Sequence, residues 1–260
     1  MQTYGSNKFK TAIDICRQIE NWPAAWDLRL RRRGTGLTLL RFRDGLNVVC
    51  RRGTGDWSVI HELAFAGGYR HALEYLRNAT GPKTVIDLGG NIGLFSLLAA
   101  RQNDVTVHAY EPGPPNFRLF VMNCLANPSL SERIVLHREA VGGESRVVKW
   151  FFDEANPGGS GLYGEQPGQT SFDVNIRSFA EVVASQTTPI ALLKLDIEGA
   201  EFELLDQTPP AVWKRVNAIS LELHDDPAGK MSRDEFMRRL ADYGFVASEE
   251  DVCSYFLHRR

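Results

Sequence analysis

The sequence lacks the long apolar segments and the paired cysteines that mark two common classes of protein. No apolar stretch approaches the roughly 18 residues that span a bilayer, and residues 1–10 are polar where a secretory signal would be apolar. The 4 cysteines lie far apart without a CxxC pair, which predicts four buried or partly buried free thiols and no zinc site. We therefore expect a cytoplasmic protein without a membrane partner.

An excess of charge of either sign is also absent. The chain has 260 residues, with 30 Lys and Arg against 32 Asp and Glu and a net charge of -2, so nothing attracts it as a whole to nucleic acid. Arginines are nevertheless dense in one early region, with few aromatic residues between them for base stacking. They are Arg29, Arg31, Arg32, Arg33, Arg41, Arg43, Arg51 and Arg52. We expect the solvated faces of a hairpin and no nucleic-acid partner; the alternative is a grip on a substrate phosphate or carboxylate.

The pattern of apolar segments changes near residue 80. Residues 1–80 predict an N-terminal helix, a hairpin that turns at Asp44-Gly45 and two more helices, and we interpret them as an appendage that caps a substrate. Residues 81–260 alternate short apolar strands with helices, and a tight connection between the last two strands predicts that they pair antiparallel. The predicted fold class is α/β, with a doubly wound, mostly parallel seven-stranded sheet and an N-terminal α+β appendage.

The most informative segment is VIDLGGNIG at residues 85–93. An apolar strand leads through glycines into an apolar helix, and glycine allows both a sharp turn and the close approach of a ligand. The acid in this segment would repel a pyrophosphate and suits a nucleotide-like ligand that carries a cationic amino group. S-adenosylmethionine has that chemistry. The residues predicted to bind it here are Asp87, Gly89, Gly90, Asn91 and Gly93.

Polar residues also follow the next two core strands, where ligands bind in open α/β sheets. Glu111 lies 24 residues after Asp87 (111 − 87) and is predicted to accept hydrogen bonds from ribose hydroxyls. Its alternative role is an interaction with the dipole of the following helix. Glu139 and Ala140 follow the third strand and are predicted to contact the adenine ring.

A second dense cluster is KLDIEGAE at residues 194–201. Lys194 and Asp196 project to the same side of a strand, and so many charges at a strand end must be paired or take part in chemistry. The alternative is an internally compensated ion network. His224 ends the following strand on the same face as Glu222, and a histidine there is a candidate general base or a solvated strand end.

Together these segments resemble the FkbM family of S-adenosylmethionine-dependent methyltransferases. VIDLGGNIG is similar to the family's first motif, HAYEP at 108–112 to its ribose-binding segment, and LKLDIEGAE at 193–201 to its most diagnostic signature. LELH at 221–224 fits the strand that follows. The resemblance spans roughly residues 56–224. It implies transfer of the cofactor's methyl group to a hydroxyl oxygen of a polyketide, a sugar or another secondary metabolite.

For that reaction we predict S-adenosylmethionine as cofactor, a small-molecule hydroxyl acceptor as partner, and His224 and Asp196 as the candidate bases. Lys194 is expected to orient Asp196, which also contacts the cofactor, and Glu198 to hold the substrate or an opposing loop. A divalent ion bridging Asp196, Glu198 and His224 is the less favoured hypothesis, so no metal site is predicted. Homodimerisation is left open. The appendage and the glycine-rich segment 156–164 are expected to choose the acceptor.

Two other function classes are weighed against this prediction. An NAD-dependent sugar oxidoreductase or epimerase needs a GxGxxG phosphate loop, whereas the glycines here stand at 89, 90 and 93, and Asp87 is badly placed for a pyrophosphate. A non-catalytic protein that retains the fold would point Asp196 and His224 away from the cofactor pocket. Binding of S-adenosylhomocysteine or NAD separates the first two classes.

Overall fold

The computed structural model describes residues 8–30, 34–152, 170–249 and 254–259. The predictions for Arg31, Arg32 and Arg33, for the segment 156–164 and for Cys253 lie outside these residues. Among the described helices, none has the length and apolar character to cross a membrane. Cys50 and Cys124 are buried, whereas Cys16 is exposed, so the expectation of a buried thiol is wrong at that position.

Helices and one hairpin make up the N-terminal segment, by which we mean residues 8–30 and 34–80. Its elements are α1 (Lys8–Gln18), α2 (Trp22–Leu30), β1 (Leu37–Arg41), β2 (Asn47–Arg51), α3 (Asp56–His61), a π-helix (Glu62–Ala66) and α4 (Arg70–Asn78). The predicted hairpin is confirmed: β1 and β2 pair antiparallel, and Gly45 in the turn has φ +91°. Helix α2 was not predicted, because Pro23 interrupts the pattern; it stands in the first turn, where proline is tolerated.

The remaining residues alternate strands and helices. They form β3 (Lys83–Leu88), α5 (Leu94–Ala100), β4 (Val105–Tyr110), α6 (Pro114–Leu125), α7 (Pro128–Ser131), β5 (Ile134–His137), β6 (Ala140–Gly142), β7 (Arg146–Phe152), β8 (Thr170–Ser178), α8 (Phe179–Ala184), β9 (Ile190–Leu195), α9 (Glu201–Gln207), α10 (Pro210–Trp213), β10 (Val216–Glu222), α11 (Arg233–Asp242), β11 (Phe245–Glu249) and β12 (Ser254–Arg259).

The predicted seven-stranded sheet is confirmed, with strand order β11-β12-β10-β9-β3-β4-β5. The five strands from β10 to β5 form four parallel pairs, β10 with β9, β9 with β3, β3 with β4 and β4 with β5. Strand β12 pairs antiparallel with both β10 and β11. Strands β3 and β9 are buried at every position, as expected of a parallel sheet covered on both faces. Because the strand order reverses between β3 and β9, a ligand crevice is expected at their carboxyl ends.

A smaller sheet of three strands, in the order β6-β8-β7, stands beside the main one. Strands β7 and β8 pair antiparallel from Arg146 to Phe152. Strand β6 was not predicted, because three residues are too few to show an alternating pattern.

One apolar cluster joins the N-terminal segment to the main sheet. It contains Ile15, Leu40, Val48 and Ile60 from the N-terminal segment, together with Ile92, Leu94, Leu97 and Leu119 from the residues around α5 and α6. Residues 89–93, which we call the cofactor loop after the predicted ligand, and the helix α5 that follows them therefore pack against the N-terminal segment. The predicted division into residues 1–80 and 81–260 stays a prediction.

Candidate active site

The turn after β3 forms the floor of the crevice, and glycine is required at two of its positions. Gly89 has φ +83°, and a Cβ there would collide with the carbonyl oxygen of Asp196. At Gly90 a Cβ would lie 2.8 Å from Cε1 of Phe120. The turn is held in place because the N–H groups of both glycines donate to the carbonyl of Tyr110. Neither position can accept a larger residue without displacing the backbone or a core ring.

Lys194 is the charged centre of the site. It is 4% exposed, and its Nζ donates to the carbonyl oxygen of Gly89 at 2.7 Å. The same nitrogen lies 3.1 Å from Asp196 Oδ2 and 3.5 Å from Asp87 Oδ1. Burial acts to lower the pKa of Lys194, but the charges of Asp196 and Asp87 outweigh burial and raise that pKa above its ordinary value. Lys194 is therefore a fixed cation and not a base.

Asp87 lies beneath the crevice and supports it from below. Its side chain is fully buried, Ser96 Oγ donates to its Oδ2 at 2.6 Å, and burial raises its pKa. In this position Asp87 holds Lys194 and, through it, the turn at Gly89. The predicted contact between Asp87 and a ligand's amino group stays a prediction.

Glu111 follows β4 and is tied to the cofactor loop. Its Oε2 accepts from the N–H of Asn91 at 2.8 Å, and its Oε1 accepts from the N–H of Gly113, also at 2.8 Å. Burial raises the pKa of Glu111 to about 7, although these two backbone N–H groups act to lower it. Because a carboxylate oxygen has more than one lone pair, each oxygen can still accept from a hydroxyl.

A cavity of about 360 Å³ opens above this floor. One wall consists of residues from α3, the π-helix and Tyr69. The other consists of the turn from Gly89 to Asn91 and the carboxyl ends of β9 and β10, with Asp196, Glu198 and Glu222. The sequence analysis interpreted residues 1–80 as a cap over a substrate but named no residue of this wall as part of the site, because α3 and the π-helix reach it by tertiary packing.

Tyr69 is the residue of that wall that touches the charged centre. Its hydroxyl donates to Asp196 Oδ2 at 3.4 Å, and its ring centroid lies 5.8 Å from Lys194 Nζ. Tyr69 has φ +59°, a left-handed conformation uncommon for a bulky residue. Near Tyr69, the preceding pair Gly67-Gly68 is the only feature of the sequence that indicates an unusual turn.

His224, one of the two candidate bases, lies between two glutamates just after β10. Its Nδ1 is 3.0 Å from Glu201 Oε1, and its Nε2 is 3.5 Å from Glu198 Oε2. Burial acts to lower the pKa of His224, but the hydrogen bond and charge of Glu201 outweigh burial and raise it to about 9. Burial raises the pKa of Glu198 to about 6, and burial with the nearby charge of Asp196 raises that of Glu222 to about 7. In the ligand-free protein the imidazole is therefore protonated near neutral pH.

The other predicted site residues lie further from the cavity. Ala140 begins β6, pairs with Ile176 and is buried against Val174 and Ile176, with Glu139 directly before it. Their contact with an adenine ring stays a prediction. Of the arginines in the dense early region, the described ones that pair with an acid do so inside the N-terminal segment, and no arginine among the described residues lines the cavity. These pairs are Arg41 with Glu20, Arg51 with Asp56 and Arg52 with Asp27.

Comparison with known proteins gives a consistent result. A family model described as the methyltransferase FkbM domain matches residues 87–247, a range from Asp87 in the cofactor loop to β11. Two curated relatives are "Methyltransferase 1" of Beauveria bassiana (strain ARSEF 2860), 27% identical over 163 residues, and "31-O-demethyl-FK506 methyltransferase FkbM" of Streptomyces tacrolimicus, 26% identical over 196 residues.

The matched parts cover 54% of this chain and 64% of the Beauveria protein, and 64% of this chain and 74% of the Streptomyces protein. The chain thus spans slightly less than two thirds of the first relative. Among solved structures, a putative rRNA methylase from Clostridium thermocellum is similar with a TM-score of 0.43 and 8% identity, over 72% of this chain and 92% of that one.

Proposed function

The chain belongs to the FkbM methyltransferase family, and we propose that it transfers the methyl group of S-adenosylmethionine to a hydroxyl oxygen of a small molecule. The observation that supports the proposal most directly is the joining of three strand ends at one cavity. Lys194 binds both the turn after β3 and the acid after β9, while Glu111 after β4 binds the same loop at Asn91.

The residues of this chain fit such a cofactor. Gly89 and Gly90 line the cavity, and because glycine has no side chain a ligand can approach the backbone closely there. Glu111 is an acceptor for ribose hydroxyls, and the carboxylates around the cavity favour a cationic ligand over a pyrophosphate. An NAD-dependent reaction is disfavoured for the same reason.

When bound, S-adenosylmethionine supplies a methyl group on a sulfonium, and the C–S bond breaks as the acceptor oxygen forms its bond to that methyl. The protein must align the acceptor and remove its hydroxyl proton. Asp196 and His224 are the candidate proton acceptors. Asp196 lines the cavity, whereas His224 contacts it through Glu198 and must release its own proton before it can accept one. Lys194 holds Asp196 in place, and Glu198 is available to bind an acceptor hydroxyl.

We propose a sugar or polyketide-type metabolite as the acceptor. The name of the Streptomyces relative gives an O-demethyl compound as its substrate. The mixed lining of the cavity also suits a hydroxyl-bearing molecule: Glu62, Glu198 and Glu222 accept hydrogen bonds, while Val59 and Leu63 offer apolar contacts.

Calorimetry with S-adenosylhomocysteine, and with NAD in parallel, tests the proposal. We expect saturable binding of one S-adenosylhomocysteine per chain and no heat with NAD. A panel of hydroxylated metabolites is then incubated with S-adenosylmethionine and searched by mass spectrometry for the gain of one methyl group. Heat-denatured protein is the control.

Binding of NAD without binding of S-adenosylhomocysteine would overturn the cofactor assignment. Methylation only of nitrogen or carbon atoms in the panel would overturn the choice of a hydroxyl acceptor.

A further inference from the structure

We propose that Asp196, Glu198 and His224 form a site for a divalent cation at the carboxyl ends of β9 and β10. One ligand atom from each residue lies within 4.8 Å of the others, which is close enough for a single ion to contact all three. The sequence alone did not favour a metal. This inference rests on the proposed function for its role, but not for the binding itself.

The position of His224 separates this set from a simple cluster of acids. Glu201 is fully buried, lies outside the ligand set and has its Oε1 at 3.0 Å from His224 Nδ1. Both oxygens of Glu201 accept hydrogen bonds from backbone N–H groups, so the hydrogen shared with His224 is on Nδ1, and Nε2 is the nitrogen that faces Glu198. A metal-binding histidine is typically held through its other nitrogen by a carboxylate in this manner.

Glu201 also positions the chain between the two acidic ligands. Its Oε1 accepts from the N–H of Ile197 and its Oε2 from the N–H of Gly199, both at 2.9 Å. Within the described part of the chain, the side-chain contacts of Asp196 with Lys194 and Tyr69 both use Oδ2, so Oδ1 is the oxygen available to a cation. The buried residues Glu201 and Lys194 thus hold the two carboxylates and the imidazole so that all three can contact one ion.

Two carboxylates with one imidazole suit a divalent ion such as Mn²⁺ or Mg²⁺. The side chains of Asp196, Glu198 and His224 are 23%, 41% and 26% exposed, which leaves coordination positions for water or for an acceptor oxygen. Catalytic metal sites keep such an open position, whereas structural ones are closed.

A cation at this point changes the role of the three groups in the proposed reaction. A hydroxyl bound to a divalent ion loses its proton more readily. The hydroxyl proton would then pass to solvent water at the open coordination positions, and Asp196 and His224 would act as ligands and not as proton acceptors. The competing arrangement is an ion cluster without metal, in which a protonated His224 pairs with Glu198 and Glu201.

Titration of the full-length, metal-free protein with Mn²⁺, followed by the electron paramagnetic resonance of the free ion, tests the site. We expect saturable binding of one ion per chain. Glu198→Gln and His224→Gln remove ligands and should each weaken binding at least tenfold. Glu201→Gln changes no ligand but alters the group that holds His224 and the chain at Ile197 and Gly199, and it should weaken binding by about 10–100-fold. Asp225→Asn is the matched control, because this acid follows His224 directly but its side chain is 92% exposed; its affinity should equal that of the wild type.

Calorimetry with S-adenosylhomocysteine on the same samples shows that each variant is folded and keeps the two proposals apart. Absence of saturable Mn²⁺ binding at millimolar concentrations, or equal binding by the wild type and His224→Gln, would overturn the metal site while S-adenosylhomocysteine still bound. Mn²⁺ binding without S-adenosylhomocysteine binding would overturn the proposed function and leave the metal site standing.

Discussion

The side-chain nitrogen of Lys194 lies 2.7 Å from the carbonyl oxygen of Gly89. The turn that follows β3 is therefore held in place by the side chain of a lysine on the neighbouring strand β9. Because Asp87 and Asp196 flank the same nitrogen at 3.5 and 3.1 Å, one buried cation balances two acids and fixes the position of the loop that is proposed to bind the cofactor.

Replacement of Lys194 by methionine should destabilise the protein. The change removes the cation that pairs with Asp87 and Asp196 inside the protein. An uncompensated charge there should lower the free energy of unfolding by about 3–5 kcal/mol. Urea denaturation measures this loss, and calorimetry should show weaker binding of S-adenosylhomocysteine. Lys214→Met is the control, since Lys214 is exposed; equal stability of the two variants would contradict the role given to Lys194.

Alanine at Gly89 should abolish binding of S-adenosylhomocysteine. The added Cβ would meet the backbone of Asp196, and φ is +83°, so both the strand end and the loop must move. Gly45→Ala is a matched variant with φ +91° but nothing within 4 Å of its Cβ. It should lose only about 1 kcal/mol of stability, from backbone strain, and keep full affinity. Calorimetry compares the two, and normal affinity in Gly89→Ala would show that the turn can relax.

Affinity for S-adenosylhomocysteine should depend on pH through Glu111. The pKa of this buried carboxyl is raised to about 7, and only its ionised form accepts from ribose hydroxyls without competition from its own proton. Between about pH 8 and pH 5.5 the ionised fraction falls about 30-fold, and affinity should fall with it. Glu222→Gln should retain this step, whereas Glu111→Gln should bind weakly with a flat profile. A step that survives in Glu111→Gln would assign it to another group.

The same raised pKa predicts an opposite trend for the stability of the ligand-free protein. Glu111 ionises at about 4.5 when unfolded and at about 7 when folded, so the native state favours the protonated form. The stability it contributes is complete below the unfolded pKa and is lost as the pH rises through about 7. Thermal unfolding without ligand should therefore occur at lower temperature at pH 8 than at pH 5.5, and Glu111→Gln should reduce this difference.

Asp56 should be important for the stability of the N-terminal segment. It is 3% exposed and accepts from the backbone N–H and the guanidinium of Arg51, both at 2.7 Å. The guanidinium also donates to Asn116 of α6. Asp56→Ala should cost about 3–5 kcal/mol, since it leaves a half-buried cation without its partner. Asp44→Ala removes a more exposed ion pair with Arg101 and should cost about 1 kcal/mol or less; equal losses in urea denaturation would contradict the distinction.

Much of the main sheet was predictable because each core strand is a short apolar run that ends in a polar residue. The predicted antiparallel pairing of the last two strands is confirmed, and the meeting of Asp87 with Lys194 follows from the rule that parallel strands end at one edge. These features depend on local periodicity and on strand order, which the sequence shows directly.

Other parts of the site depend on contacts between distant residues and were not predictable. Tyr69 lies 127 positions from Asp196 and reaches it only because the chain turns through a left-handed conformation. Glu201 belonged to a recognised cluster, but its partners are backbone N–H groups and a histidine from another strand. Arg51 and Arg52 looked like solvated residues, although Arg51 is bound to a buried acid.

The apolar cluster shared by the N-terminal segment and α5 has a consequence for biosynthesis. Ile60 and Val48 leave the ribosome before Ile92, Leu97 and Leu119, which cover them in the native protein. Domains normally fold as units during synthesis. The apolar face of the N-terminal segment, however, stays exposed until β3 and α5 have left the ribosome. Slower translation after residue 80 would thus lengthen exposure to chaperones, and the yield of native protein should depend on elongation rate more than its modest size suggests.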